Sequence, residues 1–174
     1  ELHPADLATI IDQLTPRDRA DIMNSLDDET AAEALEELEP ETRADLLEDL
    51  EPGRVADLLE EMSPDEAADA VADLSPVRRE EILRLMEKEE RDDVRGLLAH
   101  PEQSAGGIMT TEHVALRRTA TVAQALAALR RLEPDADVAH AVYIVDAQRR
   151  LLGEVTLRDL ILAAPNTVVG TIME

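Results

Sequence analysis

The chain contains no cysteine, tryptophan or phenylalanine, and Tyr143 is its one aromatic side chain. Without cysteine there is no disulfide framework, no thiolate metal site and no thiol nucleophile. Without aromatic bulk, the core of these 174 residues must be aliphatic and the fold must hold by packing alone. No run of 18 apolar residues occurs, and no signal peptide is recognisable, so the sequence reads as cytosolic. Basic side chains are scarce as well: 17 Lys and Arg stand against 40 Asp and Glu, a formal charge of -23. Such a balance disfavours nucleic acid and anionic lipid as partners and favours cations or basic surfaces.

The acidity is unevenly placed. Residues 1–103 carry 32 acidic and 10 basic side chains (10 - 32 = -22), and residues 104–174 carry 8 and 7 (7 - 8 = -1). A salt-adapted or solubility-tuned composition would act on both halves, so the division predicts two domains, with a solvated acidic face as the plain alternative to a binding function. The extreme case is Glu60 to Leu74, EEMSPDEAADAVADL, with six carboxylates and no Lys or Arg from Val55 through Val77.

The acidic half is a twelve-residue repeat. Leu2, Leu14, Leu26, Leu38, Leu50, Met62, Leu74 and Met86 stand twelve apart, and proline follows two residues later at Pro4, Pro16, Pro40, Pro52, Pro64 and Pro76. A capping residue, proline in the first turn and acids near the positive helix end mark a helix start, and Ser63-Pro64-Asp65-Glu66 has capping-box spacing. Val55, Leu58, Leu59 and Met62 show the apolar spacing within one unit. Twelve residues at about 100° each turn the apolar stripe by about 120° per repeat, so one continuous helix could not bury it. The units must be short helices stacked into a superhelix, with Ala8, Ala20, Ala32, Ala44, Ala56 and Ala68 as a column of small contact residues.

The next column is Thr9, Asp21, Glu33, Asp45, Asp57, Asp69, Glu81 and Asp93. It predicts an acidic stripe along one side, to which Asp65 and Asp73 add one turn either side of Asp69. Like charges at this spacing repel, a cost that a bound cation would remove, and Mg²⁺ is commonly held by one or two carboxylates plus waters. A basic partner protein would satisfy the same electrostatics.

The neutral half has a different pattern. Ala105-Gly106-Gly107 breaks helix, Val114–Leu116 reads as a strand and Thr121 opens a helix to about Leu132. Strands follow at Ala141–Val145 and Leu151–Val155, separated by a turn at Asp146–Arg149, and a last helix starts near Thr156. The order is β-α-β-β-α. His3, His100, His113 and His140 are scattered, Gly106-Gly107 is too short for a phosphate loop, and no partnered nucleophile is visible, so nothing points to an enzyme.

GEVTLRDL (Gly153 to Leu160) resembles the strand-to-helix motif of CBS domains, and IMTTEHVAL resembles their opening segment. Joined to the acidic repeat, with LHPADL, SPDEAADAV, AGGIMTTEHVAL and VTLRDLILAAP, the whole chain resembles the cytosolic part of MgtE-type magnesium transporters. The resemblance implies a mainly α fold: a right-handed superhelical N domain over 1–103, a first CBS domain over 104–166, and at 167–174 the start of a second, truncated CBS domain. Ile172-Met173 repeats Ile108-Met109 at that point, which reads as a cut just inside a second CBS domain, ahead of a membrane pore.

That resemblance also implies a function. The chain would belong on the cytoplasmic side of the membrane, sense Mg²⁺ between its N and CBS domains and gate the pore. Asp65 and Asp69 match the family's metal-facing helix, with Asp73 beside them. Thr156, Arg158 and Asp159 match nucleotide-contacting positions, so ATP is a candidate ligand, although Ala141 stands where some members have an aromatic. Thr156 and Asp159 also have the spacing of a helix cap. The missing second CBS half would leave an apolar face, implying a homodimer. Two other readings stand: a soluble CBS-type adenine nucleotide sensor, or a superhelical interaction scaffold resembling the middle domain of flagellar motor switch proteins.

Overall fold

The computed structural model describes residues 2–101, 103–132, 134 and 138–174; Glu102, in the expected join between the halves, lies outside the described residues. Two units are resolved, Glu1–Thr111 and Glu112–Glu174.

In the first unit eight helices begin at twelve-residue intervals: α1 (Pro4–Asp12), α2 (Pro16–Met23), α3 (Asp28–Glu36), α4 (Pro40–Asp49), α5 (Pro52–Glu61), α6 (Pro64–Ala72), α7 (Pro76–Leu85) and α8 (Lys88–Leu98). The prolines occupy the first turn, where the missing N–H has no helical partner to lose. The Thr15, Asp27 and Ser75 side chains accept the amide three residues on and cap α2, α3 and α7. Ser63 departs from this expectation, because its side chain makes no cap bond. Instead its backbone N–H donates to Glu36 Oε1 on α3 (3.4 Å), and Glu66 turns to Arg43 of α4 (3.5 Å). Tertiary partners have replaced the local box.

Helices pack on their next-but-one neighbours, α1 on α3, α3 on α5, α5 on α7, and α2 on α4, α4 on α6, α6 on α8. The expected single acidic stripe is therefore divided: Glu33, Asp57 and Glu81 ride on one row of helices and Asp21, Asp45, Asp69 and Asp93 on the other. One aliphatic core runs through both rows, with Ile11, Leu35, Leu47, Leu58, Leu59 and Ile82 among its fully buried members. The twelve-residue anchors are buried from Leu38 to Met86, while Leu2, just before α1, is 62% exposed.

Carbonyls at helix ends are satisfied across repeats. Arg19 bonds the Ile11 and Asp12 carbonyls (3.0 and 2.8 Å), and Arg79 bonds those of Val71 and Ala72 (2.8 and 2.5 Å), the same device five repeats later. Arg54 reaches Met23 and Leu26 in the same way that Arg78 reaches Leu47 and Leu50. A cation at a helix C-terminus meets both the orphan carbonyls and the negative end of the dipole. Much of the scarce positive charge is thus committed to the backbone rather than to the acidic faces.

The second unit has the expected order: β1 (Ala115–Arg117), α9 (Val122–Leu132), β2 (Ala141–Val145), β3 (Leu151–Thr156) and α10 (Leu157–Leu162). The sheet runs β1-β2-β3, the first pair parallel and the second antiparallel. Val142, Ile144 and Val155 face the helices and pack with Val122, Ala125 and Leu160, which is the period-two burial of a strand covered on one side. The hairpin turns at Asp146, whose Oδ1 accepts the amides of Gln148 and Arg150 (both 2.9 Å), and Arg149 takes a positive φ of 62°.

The chain around the two expected joins, 103/104 and 166/167, packs as follows. The segment through Thr111 groups with the helices, and residues 167–174 pack back on the β-α-β-β-α unit. Val169 is fully buried and its amide bonds the Ala120 carbonyl (2.9 Å), while Glu174 and Glu154 exchange backbone bonds (both 3.0 Å). Gly153 permits this closure, since a Cβ there would run into the Glu174 carbonyl oxygen.

Candidate functional site

Asp65 lies in the first turn of α6, Asp69 follows one turn later, and Asp73 is the residue that ends the helix. The structure brings the first two together. Asp65 and Asp69 line a cleft of about 180 Å³ with Ala68, Ala72, Arg79, Leu97, Leu98, His100, Gly107 and Met109. Asp73 stays outside it, exposed at the negative end of the helix dipole. The cleft is enclosed by α6, α8 and the segment after α8, and packing of α8 on α6 is what sets its width. His100 and Gly106 fix the segment: a Cβ on Gly106 would sit 2.5 Å from the His100 ring.

Asp65 is half-buried, and its Oδ1 is fully buried without a hydrogen-bond partner. A carboxylate oxygen withdrawn from water and left unpaired is costly, and a cation or an ordered water would relieve it. Arg79 also borders the cleft, yet its guanidinium bonds three carbonyls of the α6–α7 turn, at Val71, Ala72 and Leu74. Among the described residues no three His, Cys, Asp or Glu side chains converge as a metal cage. Two carboxylates in an open cleft suit an ion that keeps most of its water, the habit of Mg²⁺, rather than the many-oxygen cage of Ca²⁺.

Neighbouring carboxylates feel the same field. Burial pushes the Glu66 carboxyl above its ordinary value; the Arg43 guanidinium opposes that, and Asp65, Asp69 and Glu37 add to it. Glu60 is also raised, by burial first, opposed by the Glu87 amide that it accepts and reinforced by the charges of Glu87, Glu90 and Asp57. Positive charge near the cleft was missing from the sequence reading. Its signal was present in the repeat: Arg19, Arg43, Arg79 and Arg91 share one twelve-residue column.

At the other expected site, Thr156 caps α10. Its Oγ1 accepts the Asp159 amide (3.1 Å) and donates to Asp159 Oδ2 (2.6 Å), so hydroxyl and carboxylate hold each other. The structure therefore contains the helix cap that the spacing allowed. Arg158 projects into solvent, its side chain 81% exposed and 4.0 Å from Asp159.

The family model of the MgtE intracellular N domain matches residues 2–103, and the CBS domain model matches residues 105–166. Among curated proteins, the magnesium transporter MgtE of Thermus thermophilus is 45% identical over 89 residues, covering 51% of this chain and 20% of that protein. The Enterococcus faecalis magnesium transporter MgtE is 35% identical over 85 residues, covering 49% and 19%. The matched stretch thus spans about a fifth of the length of these relatives. Among solved structures, the cytosolic domain of the Mg²⁺ channel MgtE in complex with ATP superposes with a TM-score of 0.93 at 40% identity, covering 100% of this chain and 71% of that one. The soluble part of a magnesium transporter gives 0.90 at 31% identity, covering 99% and 68%. With a helical repeat and a β-α-β-β-α unit each matched over its own length, the chain belongs to the MgtE family, as its intracellular N domain followed by a CBS domain.

Proposed function

We propose that this chain is the regulatory region of a magnesium channel, lying on the cytoplasmic side of the membrane, and that it senses Mg²⁺ through Asp65 and Asp69. The observation that carries the reading is the cleft on α6, where two carboxylates one turn apart share a wall and the buried Oδ1 of Asp65 has no partner. A divalent ion supplies charge compensation there. Asp65 and Asp69 hold its hydrated form, and the excess of 22 negative charges over residues 1–103 supplies the repulsion that low Mg²⁺ leaves uncompensated. An ion that binds a closed arrangement of acidic faces better than an open one shifts the population toward the closed one, which is the thermodynamic requirement for gating. Asp73, outside the cleft, contributes to the field rather than to the inner site. The chain works as a binding module and homodimer, with no covalent step.

ATP binding at the CBS unit is the second part of this reading, supported by the crystallised relative that holds ATP and by the exposed Arg158 guanidinium beside Thr156 and Asp159. A nucleotide must compete with the bond between Thr156 and Asp159, so Arg158, solvent-exposed and only 4.0 Å from Asp159, provides the more available contact.

Thermal unfolding with Mg²⁺, against NaCl at matched ionic strength, tests the sensor. A ligand at ten times its Kd stabilises the folded state by about 1.4 kcal/mol. Millimolar Mg²⁺ should raise the Tm beyond the NaCl control, and the Asp65→Asn, Asp69→Asn double variant should lose that excess while keeping the general salt effect. Equal shifts with both salts, or an unchanged Mg²⁺ response in the double variant, would overturn the assignment.

A further inference from the structure

Arg79 lines the same cleft as Asp65 and Asp69, where a permanent positive charge works against any cation that enters. The guanidinium is not there as an ion-pair partner. It makes no ion pair among the described residues; its Nε donates to the Val71 carbonyl (2.8 Å), and its Nη2 donates to those of Ala72 (2.5 Å) and Leu74 (3.3 Å). These carbonyls at the end of α6 hold it half-buried and in one orientation, and a guanidinium stays protonated at any working pH. Swinging aside would forfeit three bonds, and losing the charge is not open to it.

The repeat separates this charge from the bonds that hold it. Arg19 makes the corresponding bonds to the Ile11 and Asp12 carbonyls, but the residues that stand there in place of Asp65 and Asp69 are Ala5 and Thr9. Ala31, Val55 and Ala67 occupy the same column in three other repeats, so the solenoid turns without a guanidinium at that position. Behind α6 the device meets two carboxylates. Asp65 and Asp69 against Arg79 leave the lining, with His100 neutral, at one negative charge (1 - 2 = -1). Ala68, Ala72, Leu97 and Leu98 make the rest of the wall largely apolar, which limits screening by water, so each charge acts more strongly than on an open surface.

We propose that Arg79 sets the cation affinity of the cleft: its fixed charge repels the ion that Asp65 and Asp69 attract, so that Mg²⁺ binds weakly enough to leave when its concentration falls. The inference rests on the sensor reading and adds to it a residue of opposite sign. Repulsion from a fixed charge grows in proportion to the charge of the ion, so Arg79 penalises a trivalent ion more than a divalent one. A purely structural Arg79 would make no such distinction.

Calorimetric titration at constant ionic strength tests this, with Mg²⁺ and with hexaamminecobalt(III), a trivalent ion that keeps its six ligands and so stands in for a hydrated one. Arg79→Gln keeps an amide donor for the α6 carbonyls and removes the charge. It should bind Mg²⁺ at least about fivefold, and hexaamminecobalt(III) at least about tenfold, more tightly than the native chain. Arg79→Lys, which keeps the charge, should stay within about twofold of native for both ions, as should Arg17→Gln, which removes the same charge from an exposed position on α2. Ala72→Lys leaves Arg79 and its three carbonyls in place and adds a positive charge to the cleft wall, so it reads the same electrostatics if Arg79→Gln does not fold. It should weaken Mg²⁺ binding at least about threefold. Unchanged or weaker binding in Arg79→Gln, an equal factor for the two ions, or an Ala72→Lys chain as tight as native would overturn the proposal. Mg²⁺ binding that needs Asp65 and Asp69 but ignores Arg79 would overturn it alone, whereas no Mg²⁺ binding in either the native or the Arg79→Gln chain would overturn the sensor reading with it.

Discussion

Arg43 Nη1 lies 3.5 Å from Glu66 Oε2, joining α4 to α6 one residue beyond Asp65. Arg43 is 7% exposed and its Nε has no hydrogen-bond partner, whereas the Glu66 side chain remains 43% exposed. The pair is therefore unequal: removing Glu66 strands a buried cation, but removing both groups leaves an apolar site. Glu66→Ala should cost about 2 kcal/mol in urea unfolding, below the range for a fully buried pair because Glu66 is partly solvated. The Arg43→Met, Glu66→Ala double variant should recover at least half of that loss. A double variant less stable than Glu66→Ala would show that the charge pair itself holds the helices together.

Glu60 provides a pH-dependent test. Its folded pKa is raised above the ordinary 4.5, chiefly by burial, so the folded state binds its proton more tightly than the unfolded chain does. The resulting penalty is absent below pH 4.5 and sets in fully as pH rises through the folded value. Glu60→Gln keeps an oxygen for the Glu87 amide and removes the charge that faces Glu87, Glu90 and Asp57. It should stabilise the chain at pH 7 by about 0.5 kcal/mol, the scale of an exposed charge pair, with the gain vanishing below the ordinary carboxyl range. A gain independent of pH would assign the effect to packing.

The contact between Gly106 and His100 makes a steric prediction. Gly106→Ala places a Cβ 2.5 Å from the His100 ring, displacing the segment that closes the Asp65 and Asp69 cleft. A loss of about 1 to 3 kcal/mol is expected, as for overpacking generally, with a weaker Mg²⁺-specific Tm shift. Adding His100→Ala should restore both. Failure of the second substitution to rescue would locate the strain elsewhere.

Cap and nucleotide contact can be separated in the second unit. Thr156→Ala removes the hydroxyl that accepts the Asp159 amide and should cost about 1 kcal/mol, while Thr156→Ser should cost little. Arg158→Ala, at a solvent-exposed side chain, should leave stability unchanged and weaken ATP binding in calorimetry by at least threefold. Unchanged ATP affinity in Arg158→Ala would remove that residue from the nucleotide site.

The sequence determined the parts whose causes are local. Helix starts at Pro4, Pro16, Pro40, Pro52, Pro64 and Pro76 follow from a fixed φ and a missing N–H, and the order β-α-β-β-α follows from a change of apolar period. Twelve-residue spacing required helices too short to be stable alone and hence a stack. It could not say which helices touch, because a periodic sequence offers the same face to the next helix and to the one after. Packing decided for the one after, and so divided the acidic column between two rows, kept Asp65 and Asp69 in one cleft and left Asp73 outside. Ser63 shows the same competition at one residue: its capping-box spacing is intact, but Glu36 and Arg43, distant in the chain, bind its amide and its Glu66 partner instead. Local chemistry fixes where helices begin; which carboxylates lose their water depends on neighbours that only the folded chain brings together.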